Sequence, residues 1–101
     1  MDKATSAALA DVDRLLEHRV RFAICALLNR NERLSFSRFK ELLEQTDGSL
    51  GAQLRKLEDG GYVRVKKVFE DRRPVSWYAI TPLGRARLAG HLAALQALVG
   101  D

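Results

Sequence analysis

Apolar positions recur at helical spacing over most of this chain. From Ala8 to His18, Leu9, Val12, Leu15 and Leu16 fall on one face, with Asp11, Asp13, Arg14 and Glu17 on the other. That spacing predicts an amphipathic helix. Arg19 to Asn29 continues with Val20, Phe22, Ala23, Ile24, Ala26, Leu27 and Leu28. Apolar almost all round, this segment is the expected central buried helix. Asn31 and Glu32 break the pattern, and Leu34-Ser35-Phe36 reads as a minor strand. Ser35 or Ser37 can cap the next helix, whose inward face is Phe39, Leu42 and Leu43. Thr46 or Asp47 can cap a further helix with Leu50, Leu54 and Leu57 at i, i+4 and i+7. Gly60-Gly61 ends it, because glycine accepts the left-handed conformation at a helix C-terminus.

The period then changes from helical to alternating. Val63 and Val65 alternate with Arg64 and Lys66 in a segment, Tyr62 to Phe69, rich in β-branched and aromatic residues. The alternation fails at Lys66-Lys67, which predicts a bulge or a strand end. Asp71-Arg72-Arg73-Pro74 reads as a turn, and Val75 to Ile80 as the second strand of a hairpin. Of Trp77 and Tyr78, adjacent on that strand, one should fill the core and the other stay partly exposed. Thr81-Pro82 is a strong helix start, a cap followed by proline at the first helical position. The last helix, residues 82–99, carries Leu88, Leu92, Leu95 and Val99 on one stripe. The expected fold is mainly α with a small β-hairpin, of α+β class. It forms a single domain over residues 1–101, with residues 1–8 as a flexible arm.

Charge adds direction. The net charge is +4, from 17 basic and 13 acidic side chains. Residues 1–61 hold ten of each and are neutral. Residues 62–87 hold Arg64, Lys66, Lys67, Arg72, Arg73, Arg85 and Arg87 against Glu70 and Asp71, a net of +5. All of the positive excess therefore sits on the hairpin and the start of the last helix. Such a focus attracts phosphate backbones, anionic membranes or acidic proteins. The context favours DNA: two helices joined by a tight turn make a helix-turn-helix, whose second helix can enter the major groove. The basic hairpin after it makes a wing that reaches the flanking phosphates or minor groove.

The motifs also carry a family resemblance. Leu34-Ser35-Phe36, Thr46-Asp47-Gly48, Leu54-Arg55-Lys56-Leu57-Glu58, Gly61-Tyr62-Val63, Arg72-Arg73-Pro74 and Tyr78-Ala79-Ile80-Thr81-Pro82-Leu83-Gly84-Arg85 together resemble the single-domain winged helix-turn-helix transcriptional regulators. These are relatives of the MarR and ArsR classes. The resemblance covers roughly residues 12–99. It implies a homodimer on a pseudo-palindromic site in double-stranded DNA. Separately, the residues show no catalytic set or phosphate-cradling loop, so no cofactor and no catalysis are expected of so small a helical domain.

Candidate DNA contacts follow from the recognition helix, Asp47 to Glu58. Its outward face carries Gly48, Ser49, Gly51, Ala52, Gln53, Arg55 and Lys56, with Ser37 and Thr46 at the helix starts nearby. Gln53 is the candidate for base readout, since an amide can pair bidentately with adenine. Ser49 reaches a base or a phosphate, while Arg55 and Lys56 anchor the backbone. Gly48 and Gly51 are locally unfavourable in a helix. They mark either close approach to DNA or a frayed first turn. Lys66, Lys67, Arg72 and Arg73 form the wing, with an arginine held extended before Pro74 suited to a narrow minor groove. The terminal stripes supply the dimer: Leu9, Val12, Leu15 and Leu16 from one end, and Leu88, Leu92, Leu95 and Val99 from the other. The alternative is that both helices fold back onto their own domain.

Several classes are excluded or disfavoured. Hydrophobic residues at 47% and charged residues at 30% describe a globular chain rather than a disordered one. No apolar run approaches the roughly 18 residues of a membrane span. Met1 to Ala10 has no secretory h-region, and a single cysteine permits no internal disulfide, so a reducing cytoplasm is expected. Cys25, His18 and His91 are too few and too scattered for the metal cluster of an ArsR-type sensor. Cys25 reads as a buried inert thiol. Two other functions compete with the regulator: a protein-interaction module built on the same fold, and a sensor with a ligand between the terminal helices.

Overall fold

The computed structural model describes residues Asp2 to Gly100; Met1 and Asp101, the ends of the expected domain, lie outside the described residues. The helices are α1 (Lys3–Asp11), α2 (Arg19–Asn29), α3 (Phe36–Leu43), α4 (Asp47–Asp59) and α5 (Pro82–Val99). The strands are β1 (Leu34–Ser35), β2 (Val63–Glu70) and β3 (Arg73–Ile80), in the order β1-β3-β2, all antiparallel. This is the expected α+β architecture, a helix-turn-helix followed by a hairpin, flanked by terminal helices.

The caps explain where the helices begin. Ser35 Oγ accepts from the Arg38 N–H at 3.1 Å and Thr46 Oγ1 from the Ser49 N–H at 3.1 Å. Thr81 Oγ1 accepts from the Gly84 N–H at 3.0 Å, with Pro82 in the first turn. Each cap satisfies one of the orphan donors of a first turn. Between α3 and α4 the chain turns at Glu44, which takes a left-handed φ of 50°. Gly61, at φ +80°, turns the chain out of α4 and into β2.

The core gathers Ile24, Cys25 and Leu28 of α2, Phe39 of α3, and Leu50, Leu54 and Leu57 of α4. Val63, Tyr78, Ile80 and Leu88 close it from the hairpin and α5. Phe39 meets Tyr78 edge-on, with ring centroids 6.2 Å apart. Tyr78 is the buried member of the aromatic pair and Trp77 the half-buried one. Gly84 has a packing reason: any β-carbon there would collide with the Tyr62 carbonyl and the Ile80 side chain.

Four expectations are corrected. Helix α1 begins at Lys3, where an arm was expected through residue 8, because Asp2 accepts from the Thr5 N–H at 2.7 Å and caps it. The helix expected from Ala8 to His18 stops at Asp11, and Leu15–Glu17 forms a single 3-10 turn. Asp13 makes that break: its Oδ1 accepts from the N–H groups of Leu15 at 2.9 Å and Leu16 at 3.3 Å. Its Oδ2 accepts from the Tyr62 hydroxyl, and its own N–H donates to His91 Nδ1 at 3.0 Å.

The expected bulge at Lys66-Lys67 is absent, since the register runs unbroken from Val63 opposite Ile80 to Glu70 opposite Arg73. Both lysines are exposed, so no buried face enforces alternation there. The turn is also tighter than expected. Asp71 and Arg72 form it alone, at φ 51° and 66°, and Arg73 and Pro74 belong to β3. Two left-handed residues match the primed turns that suit the twist of a two-residue hairpin.

Candidate nucleic-acid interface

Helix α4 buries Leu50, Leu54 and Leu57 and turns Asp47, Gly48, Ala52, Arg55, Lys56 and Asp59 to solvent. The middle of this exposed face is small. Apart from its chain neighbours and the adjacent backbone of α4 itself, a methyl group at Gly48 or Gly51 would meet nothing within 4 Å, so neither glycine is demanded by packing. Cations flank the face. Arg55 lies 3.7 Å from Asp59, an exposed i,i+4 pair worth little energetically. Lys40 of α3 holds Asp47 at 2.6 Å, so Asp47 is ion-paired while Thr46 does the capping. Ser37 lies exposed in the first turn of α3, and Thr46 is exposed just before α4. Lys66, Lys67, Arg72 and Arg73 are all exposed on the hairpin.

Two sequence candidates are placed differently. Gln53 is half-buried and faces α2, where its Oε1 accepts from Arg21 Nη1 at 2.6 Å. The guanidinium takes one lone pair of the amide oxygen and holds the side chain toward α2, so base readout by Gln53 would need it to leave or share this bond. Ser49 is half-buried and donates from Oγ to Gln45 Oε1 at 2.9 Å. Sequence reasoning missed Arg21 and Lys40 because their partners lie on other helices.

The terminal stripes also divide. Leu16 and Leu88, at 2% and 3% exposure, are core residues of their own chain and offer no surface to a partner. Leu15 packs against the same core and Val12 is half-buried. Leu9, Leu92, Leu95 and Val99 remain exposed, joined by Leu98. On α5 the packed face is Gly84, Leu88, His91 and Ala94, which contradicts the expected single stripe from Leu88 to Val99. The helix is apolar nearly all round, so spacing alone could not choose its buried side. A groove of about 370 Å³ runs between α1 and α5, with Asp11, Asp13, Arg87 and His91 among small residues.

Burial governs the titrating groups of the interior. It pushes the Cys25 thiol up to about 12, as expected of an inert thiol. Burial, then the hydrogen bond to Asp13, raises the Tyr62 hydroxyl to about 12. Tyr62 therefore stays a donor and ties the base of the hairpin to the Asp13 turn. Among the described residues, no three His, Cys, Asp or Glu side chains group to hold a metal ion. No helix there is long and apolar enough to cross a membrane.

A family model described as a winged helix DNA-binding domain matches residues 20–99, from α2 through α5. The chain belongs to this winged helix family. An uncharacterized protein of Methanocaldococcus jannaschii is 38% identical over 73 residues, 72% of this chain and 79% of that relative. A transcriptional regulator homologue from Pyrococcus horikoshii superposes with a TM-score of 0.84 at 28% identity, covering 97% of this chain and 95% of its own. A MarR family transcriptional regulator from Streptomyces coelicolor, solved in complex with DNA, shares the fold with a TM-score of 0.66 at 22% identity. It covers 96% of this chain and 67% of its own. Within this winged helix family, α3 and α4 are the helix-turn-helix, β2 and β3 the wing, and α1 lies ahead of the matched segment. The Pyrococcus and Streptomyces proteins are described as a transcriptional regulator homologue and a transcriptional regulator.

Proposed function

We propose that the protein is a sequence-specific repressor that binds double-stranded DNA as a homodimer on a pseudo-palindromic operator. One observation carries the reading: the exposed face of α4 is small at Gly48 and Ala52, cationic at Arg55 and Lys56, and followed by a cationic wing tip. A helix of that relief can press its backbone into a major groove, with Arg72 and Arg73 reaching the neighbouring minor groove. Ser37, Thr46, Ser49 and Gly51 lie at its border, and Lys66 and Lys67 extend the contact along the wing. Gln53 acts from behind, by holding α4 to α2.

The exposed Leu9, Leu92, Leu95 and Val99 are the proposed dimer contact. A two-fold axis there sets two copies of α4 about one DNA turn apart, roughly 34 Å. Occupying a duplex is by itself enough to exclude another protein from it, so repression asks for nothing beyond this surface. The DNA arrives by diffusion through the cytoplasm, the compartment consistent with such a partner.

The test is selection of bound duplexes from a random pool at two salt concentrations. A palindromic motif with half-sites about 10 bp apart supports the reading. Uniform weak binding that vanishes as salt rises would overturn it, and would favour an assembly module instead.

A further inference from the structure

Phe69 is 78% exposed near the outer end of β2, more than any other large apolar side chain among the described residues except Val99. Its position follows from the register. Val63 opposite Ile80 and Val65 opposite Tyr78 lie on the core face of the hairpin. Alternation carries the same face outward to Lys67 opposite Ser76, and then to Phe69 opposite Pro74. The core face thus overruns the core and ends in an apolar pair beyond the body. Pro74 lacks an N–H, and β1 reaches β3 only at Trp77 and Tyr78, so the edge of β3 beside Pro74 is unpaired.

The surroundings define what could cover this pair. Lys67 shares the face, and Arg72 and Arg73 follow at the turn, all exposed. An apolar protein surface closing over Phe69 would strand these cations without partners. A polyanion with apolar walls between its charges suits both, and that is the minor groove of a duplex, lined by sugars and flanked by phosphates. We propose that Phe69 is a DNA-contacting residue. Its ring packs on the sugars and on the edge of a base step in the minor groove that Arg72 and Arg73 enter. Apolar side chains in that position wedge between steps that unstack easily, such as TA and CA. The wing then reads deformability at the flanks of the operator while α4 reads the major groove. This inference rests on the DNA-binding reading and adds a specificity determinant to it.

The test uses the full chain and the duplex that the wild type selects, with 2-aminopurine placed at the flanking step. Wild-type binding should raise the fluorescence of that base. Phe69→Ala should weaken binding about tenfold, the scale of one stacked base. It should also relax the preference at the flank and abolish the fluorescence rise. The slope of affinity against salt should not change, because no cation is removed. Phe69→Leu should keep most of the affinity, and both variants should match the wild type in circular dichroism.

Wild-type affinity and flank preference in Phe69→Ala would overturn the inference and leave the DNA-binding reading standing. So would an altered oligomeric state at unchanged affinity, which would assign the ring to a contact between copies. If the wild type itself selects no sequence, the DNA-binding reading fails and this inference fails with it.

Discussion

Arg21 Nη1 donates to Gln53 Oε1 at 2.6 Å, and Arg21 Nε donates to the Leu15 carbonyl, also at 2.6 Å. One guanidinium on α2 thereby joins the recognition helix to the 3-10 turn that follows α1. Both side chains are half-buried, so the bonds are only partly screened. Hydrogen bonds to a charged group contribute about 1.5–3 kcal/mol, and a double-mutant cycle isolates the pair. Arg21→Ala and Gln53→Ala should each lower stability in a denaturant titration by about 1–2 kcal/mol and be non-additive together. They should shift DNA affinity by similar factors, since both release the same helix. A base preference lost in Gln53→Ala but kept in Arg21→Ala would return Gln53 to direct readout.

The glycines of α4 separate close approach from fraying. Glycine in a helix interior costs up to about 1 kcal/mol relative to alanine, and space for a methyl group is open at Gly51. Gly51→Ala should therefore raise the melting temperature by roughly 4–8 °C per kcal/mol gained. It should weaken operator binding at the same time, as the added methyl group holds α4 off the bases. Higher stability with unchanged affinity would mean the helix does not approach that closely.

At the wing, Arg72→Ala with Arg73→Ala should weaken binding to every duplex and flatten the salt dependence by up to two phosphate contacts, with a slope change of about 0.9 per contact. Arg72 takes a left-handed φ of 66°. Alanine there has no easier backbone, so the fold itself should be little changed. Titrations of selected and scrambled duplexes at several salt concentrations check this.

The terminal helix offers a contrast between surface and core. Leu92 is exposed on α5, whereas Leu88, one turn earlier, is 3% exposed. Leu92→Glu should leave the fold intact and convert a dimer to a monomer in sedimentation velocity. Leu88→Ala should instead destabilise the monomer by about 2–5 kcal/mol. A Leu92→Glu protein that keeps the wild-type oligomeric state would remove this face from the dimer.

His18 predicts a pH dependence. It caps α2 by accepting the Val20 N–H at Nδ1, at 3.1 Å, which requires the neutral ring. Partial burial, then the charges of Arg21, Lys56 and Arg19, lower its pKa in the folded state. The unfolded chain therefore takes up the proton first as pH falls. The stabilisation is complete above the ordinary histidine value of about 6.5 and is lost progressively below it. His18→Ser keeps a capping oxygen without the titration. The difference in melting temperature between the wild type and His18→Ser should move against the wild type from pH 7 to pH 5.

Much of this protein is local, and the sequence by itself determined that part. Helix starts at Ser35, Thr46 and Thr81-Pro82 are fixed by side chains within three residues of the groups they cap. The change of period at Tyr62 set the hairpin, and the clustering of cations along the chain set the charged wing. The rest depended on partners far along the chain, and only the tertiary structure decided it. Asp13 interrupts a good helical pattern because Tyr62 and His91, 49 and 78 residues away, hold it in place. The register runs straight through Lys66-Lys67 because β3 supplies the partners there, whatever the loss of alternation. Helix α5 is apolar nearly all round, so its buried face was set by the body it meets, and Leu88 went inward while Leu92 stayed outside. Gln53 sits at the edge of the exposed face by helical spacing, and Arg21, 32 residues earlier, turned it away. Periodicity gives the type of an element and its apolar faces, but contacts between elements decide which face is buried and which polar side chain is already engaged.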